Sequence, residues 1–150
     1  MVGWAESVRG SHAITVEMDQ IWPLSLAPYD AVVLPGGMPG AATLRDQEDL
    51  VHALNKHHQE GKLVAAICAA PIALAQAGLL ADKNYTCYDG FEQQITDGHY
   101  VKESVVVDDR VITSRGPASA LAFAYELVDQ LGGHAQAIRQ AMLYQDIFGD

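Results

Sequence analysis

The sequence predicts an α/β fold in which a mostly parallel sheet carries helices on both faces. Short apolar runs typical of buried strands, at Ala31–Leu34 and Leu63–Ile67, alternate with longer segments of helical periodicity. Further along the chain, two alternating runs at 104–107 and 111–114 flank a polar turn and predict a β-hairpin that joins the sheet.

The segment from Leu63 to Pro71 organises the prediction. Leu63–Ile67 is a short buried strand, and Pro71 and Gly78 bracket an Ala-rich helix, which leaves Cys68 at a strand-to-helix corner. A side chain at this corner stands at the C-terminal edge of the sheet, where open α/β folds bind ligands. The N-terminus of the following helix favours a thiolate there.

The first third of the chain is predicted as outer strands and loops. Residues 2–5 and 13–18 are predicted strands with a turn over 6–11 between them, and 19–30 is a predicted loop with two prolines. The strand Ala31–Leu34 then runs into a glycine-rich loop. A helix is predicted over 42–60, with Leu44, Leu50, Val51, Leu54 and His58 on or near one face.

The second half continues the alternation of strand and helix. A strand is predicted at 84–88, an irregular or partly helical segment at 89–98, and a last helix at 135–147. A helix over 117–131 precedes it, with its inner face formed by Ala118, Leu121, Ala122, Tyr125 and Val128.

Composition narrows the class of protein. The 150 residues are 49% hydrophobic, which suits one domain with a real core. The net charge of −10 argues against a nucleic-acid partner or an anionic membrane surface. No apolar run approaches the length of a membrane span and no signal-peptide pattern is visible, so the two cysteines are expected as reduced thiols in the cytoplasm.

Three features could carry chemistry, and each has a structural alternative. Cys68 is either a small buried hydrophobe or a reactive thiol. Gly36 and Gly37 either serve backbone geometry alone or present N–H groups to a developing oxyanion. Arg115 is either a solvated surface side chain or a contact for an anion or carbonyl. The six histidines show no metal-ligand spacing, and no nucleotide-binding loop is present, so neither metal nor cofactor is predicted.

Three segments together resemble the ThiJ/PfpI superfamily, in particular its DJ-one branch of deglycase-like proteins. They are Val-Leu-Pro-Gly-Gly ending at Gly37, Ala-Ala-Ile-Cys-Ala-Ala-Pro ending at Pro71, and Thr-Ser-Arg-Gly-Pro ending at Pro117. The resemblance implies a flavodoxin-like three-layer sandwich shared with the class I glutamine amidotransferases. It also implies a homodimer and a small aldehyde or glycated substrate.

The resemblance assigns roles to individual residues. Cys68 matches the reactive cysteine, the N–H groups of Gly37 and Ala69 match the oxyanion site beside Gly36, and Arg115 matches the arginine after the hairpin. Cys87 matches a second position near the cysteine. Cys68 is followed by Ala69 rather than His, and no later His-x-Glu occurs, which disfavours protease-like and amidotransferase chemistry.

The family pattern opens with a strand, a loop bearing a glutamate, and a helix before anything that resembles residues 2–5. That glutamate helps to hold the cysteine as a thiolate, and Glu6 and Glu17, on predicted outer strands, are not expected to replace it. The expectation is therefore a single domain over 1–150 that is incomplete at its N-terminus, with weak turnover or none.

Three functions remain open at this stage. The first is an enzyme of the glyoxalase or deglycase type, acting on reactive aldehydes through Cys68. The second is a redox-sensing or chaperone-like stress protein whose Cys68 is oxidised to sulfinic acid. The third is a relative that keeps the fold and lacks the chemistry.

Overall fold

A computed structural model describes residues 1–149. Its strands, in chain order, are β1 (Val2–Gly3), β2 (Ser7–Arg9), β3 (Thr15–Glu17), β4 (Gln20–Ile21), β5 (Ala31–Leu34), β6 (Leu63–Ile67), β7 (Asn84–Tyr85), β8 (His99–Tyr100), β9 (Val105–Asp108) and β10 (Val111–Ser114). Its α-helices are α1 (Gly40–Asp46), α2 (Glu48–Gln59), α3 (Pro71–Gln76), α4 (Ala120–Gln130), α5 (Ala135–Ala141) and α6 (Tyr144–Phe148).

The central sheet has the strand order β5-β6-β10-β9. Strands β5, β6 and β10 are parallel, and β9 pairs antiparallel with β10 as the predicted hairpin. Strand β6 is enclosed on both faces, with Val64, Ala65 and Ala66 at 0% exposure. A continuous apolar run is what a strand covered on both faces requires, and the predicted strand is confirmed.

Two apolar clusters lie on the two faces of this sheet. Helices α1, α2 and α3 cover one face, where Leu54, Leu74 and Val64 belong to the larger cluster. Helix α4 covers the other face, where Phe123 packs with Leu63, Ala65 and Ile112. The predicted three-layer α/β sandwich, flavodoxin-like in its arrangement, is thereby confirmed.

The N-terminal prediction was wrong in two places. The predicted turn over 6–11 contains β2, which pairs antiparallel with β3. The predicted loop over 19–30 contains β4, which pairs parallel with β1. All residues of β2 and β4 are exposed, and no apolar periodicity marks these two strands in the sequence, whereas β3 lies within the strand predicted over 13–18.

Two predicted helices are interrupted. The helix predicted over 42–60 is divided at Gln47, whose backbone is extended, and the inward face of α2 carries His57 in place of His58. The helix predicted over 135–147 is divided before α6 at Leu143, which adopts a φ of +56°. Each interruption rotates the inward-facing positions of the following helix relative to those of the preceding one. A periodicity calculated over one long window does not detect this change.

The predicted inner face of the helix over 117–131 is confirmed at Tyr125 and wrong at Ala118 and Leu121. Phe123 and Tyr125 are the buried residues of α4, whereas Leu121 is 41% exposed and Ala118 is exposed. Residues Pro117–Ser119 form a 3-10 turn before the α-helix begins, and three residues per turn shifts the face that follows.

The segment after α3 is shorter in regular structure than predicted. The strand predicted at 84–88 is regular only over Asn84–Tyr85, which leaves Cys87 outside it. The irregular segment at 89–98 contains a 3-10 turn over Phe91–Gln94, as predicted. Within residues 1–149, none of the helices combines the length and apolar character needed to cross a membrane.

Candidate active site

Cys68 forms the corner between β6 and α3 in a left-handed backbone conformation, with φ of +65°. This conformation is uncommon for a residue other than glycine, and it persists where surrounding contacts fix it. The Cys68 N–H donates to the Ser114 carbonyl at 2.9 Å, and the Cys68 carbonyl accepts from the Tyr88 N–H at 2.9 Å. The corner is therefore held from both sides, and Cys68 itself is half-buried.

Gly36 lies against this corner. A Cβ atom built on Gly36 would be 2.5 Å from the Cys68 Cβ and 2.8 Å from the Ile67 carbonyl oxygen. No side chain fits in that space, so the loop after β5 and the corner after β6 make direct contact only because residue 36 is glycine.

Two amide groups beside Cys68 are unpaired donors. Among residues 1–149, the N–H groups of Gly37 and Ala69 donate no hydrogen bond, although the Gly37 carbonyl accepts from Ala41 at 2.9 Å. Ala69 directly follows Cys68, and Gly37 directly follows the glycine that contacts it. Free amides at a fixed position are what stabilises a negative charge that develops on a bound carbonyl oxygen.

Arg115 lies in an ion-pair cluster. Its Nε and Nη2 atoms donate to the two carboxylate oxygens of Asp89, each at 2.9 Å. The Lys102 ammonium lies 3.1 Å from the same carboxylate. Hydrogen bonds from Arg115, and then from Lys102, lower the pKa of Asp89 below its ordinary value. Two cations share one anion, so the cluster keeps a net positive charge.

This cluster borders an open cavity of about 420 Å³. Its lining includes Tyr88, Asp89, Ser104, Arg115, Gly116 and Ser119. The Tyr88 N–H is the group that donates to Cys68, so the cavity and the cysteine corner share one backbone segment. The sequence did not identify Asp89 and Lys102 as site residues. Asp89 lies 26 positions before Arg115, and Lys102 lies 13 positions after Asp89, so these charged residues form no local pattern.

Cys87 is the second cysteine near the corner, directly before Tyr88. It is fully buried in the apolar cluster on the α1–α3 face, against which Cys68 also packs. Burial, followed by the nearby negative charges of Glu92 and Asp89, raises the pKa of the Cys87 thiol to about 12. Cys87 therefore remains protonated at neutral pH.

Comparison with known proteins places this arrangement in a family. The sequence profile of the DJ-1/PfpI family matches residues 2–130. The chain belongs to the DJ-1/PfpI family. This confirms the resemblance seen in the three sequence segments, since all three lie within the matched residues.

Family relatives differ in length and in their names. The chain is 40% identical to protein DJ-1 homolog A of Arabidopsis thaliana over 134 residues, which is 87% of this chain and 34% of that relative. It is 36% identical over 107 residues to a glutathione-independent glyoxalase of Caenorhabditis elegans, covering 70% of this chain and 56% of the relative. It is 34% identical over 128 residues to a deglycase of Pyrococcus horikoshii, covering 83% and 76%. The chain thus spans about a third of the Arabidopsis relative's length.

A solved structure of the same family superposes closely. The crystal structure of Drosophila melanogaster DJ-1beta has a TM-score of 0.82 and 34% sequence identity, covering 92% of this chain and 77% of that one. The fold inferred from the sequence and the fold of this DJ-1/PfpI relative therefore agree over most of the chain.

Proposed function

We propose that this chain acts on small reactive aldehydes through Cys68, in the manner of a glutathione-independent glyoxalase or a deglycase. The observation that carries the proposal is the half-buried Cys68 in a left-handed corner beside two unpaired amides. The printed names of the Caenorhabditis and Pyrococcus relatives support the same substrate class.

The first chemical step follows from this placement. The Cys68 thiolate attacks the aldehyde carbon, a C–S bond forms, and the C=O electron pair moves to the oxygen to give a hemithioacetal oxyanion. The N–H groups of Gly37 and Ala69 are the donors proposed to hold that oxygen. Loss of a single oxyanion-hole donor typically costs a factor of about 100–1,000 in rate, so this pair is central to the proposal.

Arg115 is proposed as a substrate-binding residue at the neighbouring cavity. Its Nε and Nη2 atoms are occupied by Asp89, whereas Lys102 adds a second cation at the same place. A substrate with a carboxylate or a second carbonyl oxygen would meet net positive charge there. Cys87 is buried behind the corner and is proposed to line the wall of the site.

The test is consumption of methylglyoxal without glutathione, with lactate as the measured product. The variant Cys68→Ala should abolish consumption while circular dichroism shows an unchanged fold. Glu17→Gln, an exposed carboxylate on β3, should retain it and serves as the matched control. Equal consumption by wild type and Cys68→Ala would remove Cys68 from the reaction and overturn the proposal.

A second candidate is a redox-responsive, chaperone-like stress protein. The half-buried Cys68 favours it, because a reachable thiol oxidises to sulfenic and then sulfinic acid. Suppression of aggregation of an unfolded client should then change after peroxide treatment in wild type and stay constant in Cys68→Ala. A constant level in both proteins would exclude this role.

We further propose a homodimer in the cytoplasm. The exposed apolar side chains of the N-terminal hairpin formed by β2, β3 and the turn between them, Val8, Ile14 and Val16, are candidates for an interface, with exposures of 44%, 69% and 38%. Sedimentation should give the mass of two chains for wild type and of one chain for Ile14→Glu. A monomeric wild-type protein would contradict the proposal.

A further inference from the structure

The two cysteines of this chain are 19 positions apart in sequence and lie at one place in the fold. The backbone hydrogen bond from Tyr88 to Cys68 joins the residue after Cys87 to Cys68 itself, at 2.9 Å. Both cysteines also belong to the packing of the same apolar cluster. The 150-residue chain has two cysteines, and both therefore lie in the same part of the fold.

A disulfide requires the two backbones to approach closely, because disulfide-bonded residues have α-carbons roughly 4.4–6.8 Å apart. The Tyr88 N–H donates to the Cys68 carbonyl at 2.9 Å, so the backbone directly after Cys87 is in contact with the backbone of Cys68. The two cysteines therefore lie on adjacent backbone segments, which is the approach that a disulfide between them needs.

The two thiols have opposite environments. Cys68 is half-buried at the corner, whereas Cys87 has 0% exposure. Burial and the nearby Glu92 and Asp89 charges keep the Cys87 thiol protonated, and a protonated, enclosed thiol reacts poorly with peroxide. The order of oxidation is thereby fixed, with Cys68 reacting first.

We propose that Cys87 is a resolving cysteine, which converts a peroxide-oxidised Cys68 into an intramolecular Cys68–Cys87 disulfide. In the first step a hydroperoxide transfers one oxygen to the Cys68 sulfur, giving a sulfenic acid and water or an alcohol. In the second step the Cys87 sulfur attacks the Cys68 sulfur, the S–O bond breaks, and the departing hydroxide takes the Cys87 proton to leave as water. The net change is oxidation of two thiols to one disulfide by one equivalent of hydroperoxide.

This bond would act as a reversible protective state. A Cys68 in a disulfide has no thiolate to offer an aldehyde, and it is also shielded from the irreversible sulfinic and sulfonic stages. Exchange with an external dithiol restores both cysteines. The inference goes beyond the proposed aldehyde chemistry and does not depend on it.

Tryptic peptides of this chain allow the Cys68–Cys87 disulfide to be detected directly. Trypsin cleavage at Lys62, Lys83 and Lys102 yields peptide 63–83 with Cys68 alone and peptide 84–102 with Cys87 alone. The folded wild-type protein is treated with one to a few equivalents of hydrogen peroxide. It is then denatured in acid with N-ethylmaleimide and mapped without reductant by mass spectrometry.

The expected result is a 63–83/84–102 linked peptide that accounts for most of the oxidised Cys68 and disappears after dithiothreitol. In Cys87→Ser the link is absent, and sulfinic acid at Cys68 rises several-fold over wild type. In Cys68→Ser neither the link nor oxidation of Cys87 is expected at the same peroxide dose.

Two outcomes would overturn the proposal. One is sulfinic acid at Cys68 in wild type with no linked peptide and no protection relative to Cys87→Ser. The other is a link found only in the two-chain band of a non-reducing gel. Because the readout is a covalent bond rather than turnover, its failure is distinguishable from failure of the aldehyde reaction.

Discussion

Strand β6 and the N-terminal strands β2 and β3 are all short, yet different forces hold them. The three central residues of β6 have no exposed surface, and neighbouring strands flank β6 on both sides. Every residue of β2 and β3 is exposed, and within residues 1–149 these two strands pair only with each other. Cys68 directly follows β6, so the geometry of the corner depends on the centre of the sheet and little on the N-terminal hairpin of β2 and β3.

The largest expected effect compares one substitution in both regions. Val64→Ala in β6 should lower the free energy of unfolding by about 2–3 kcal/mol, because two buried methyl groups and the space they fill are lost. Val16→Ala in β3, where the side chain is 38% exposed, should change it by less than about 0.5 kcal/mol. Urea unfolding measures both, and similar losses would show that the hairpin shares the central core.

A second comparison concerns two glycines of one loop. Gly36→Ala should destabilise the protein by about 1–3 kcal/mol, because the new Cβ collides with Cys68 and the Ile67 carbonyl. Gly40→Ala has open space around it at the start of α1 and should be neutral or slightly stabilising. A neutral Gly36→Ala, with unchanged alkylation of Cys68 by iodoacetamide, would show that the loop and corner are not in firm contact.

A third, smaller effect distinguishes two histidines of α2. His57 is 1% exposed, and neither ring nitrogen has a hydrogen-bond partner among the described residues, whereas His52 is exposed. Burial, and then the charge of Lys62, lowers the pKa of His57, with Glu60, the Leu63 backbone and Asp30 acting in the opposite direction. The unfolded chain therefore binds the proton first, and stability should fall as pH drops below about 6.5.

Replacing His57 isolates its contribution to the pH dependence of stability. His57→Leu should flatten the stability profile between pH 5 and 7, and His52→Leu should leave its slope unchanged. Chemical denaturation at several pH values measures the slopes. An unaltered slope in His57→Leu would assign the acid sensitivity to other groups.

The smallest expected effect lies at the exposed ion pairs around Asp89. Asp89→Asn removes the partner of Arg115 and Lys102, yet exposed pairs contribute little to stability. Since the folded-state pKa of Asp89 is lowered, its contribution is present above about pH 3.9 and is lost as the pH falls through that lowered value. The variant should differ from wild type only slightly at pH 7, and this difference should shrink as the pH falls below about 3.9, which thermal unfolding tests.

The elements that the sequence predicted well are those with a large burial signal. Leu63–Ile67 and the hairpin of β9 and β10 are apolar enough to be recognised alone, and the corner at Cys68 follows from Pro71 and the strand before it. The exposed strands β2 and β4 carry no such signal. The division of the helix at Gln47 was missed because the apolar residues on either side still fit one periodic window.

The residues of the candidate site likewise fall into those that a local sequence motif marks and those that it does not. Local motifs marked Cys68, Gly36 and Arg115 as candidates, because each stands at the end of a strand. The partnership of Arg115 with Asp89 is a contact between segments that are distant in sequence, and the nearness of Cys87 to Cys68 was expected only from the family resemblance. Such contacts depend on how the loop after α3 crosses the sheet edge, and no local pattern encodes that path.

The contact between Gly36 and Cys68 also limits how this corner can vary. Position 36 accepts no larger side chain, and position 68 keeps a left-handed backbone next to it. The spacing between the thiol and the neighbouring amides is consequently set by touching backbone atoms rather than by adjustable side chains. For protein engineering, the cavity beside Tyr88 is therefore the part that can be redesigned, while Cys68 and the amides of Gly37 and Ala69 keep their positions.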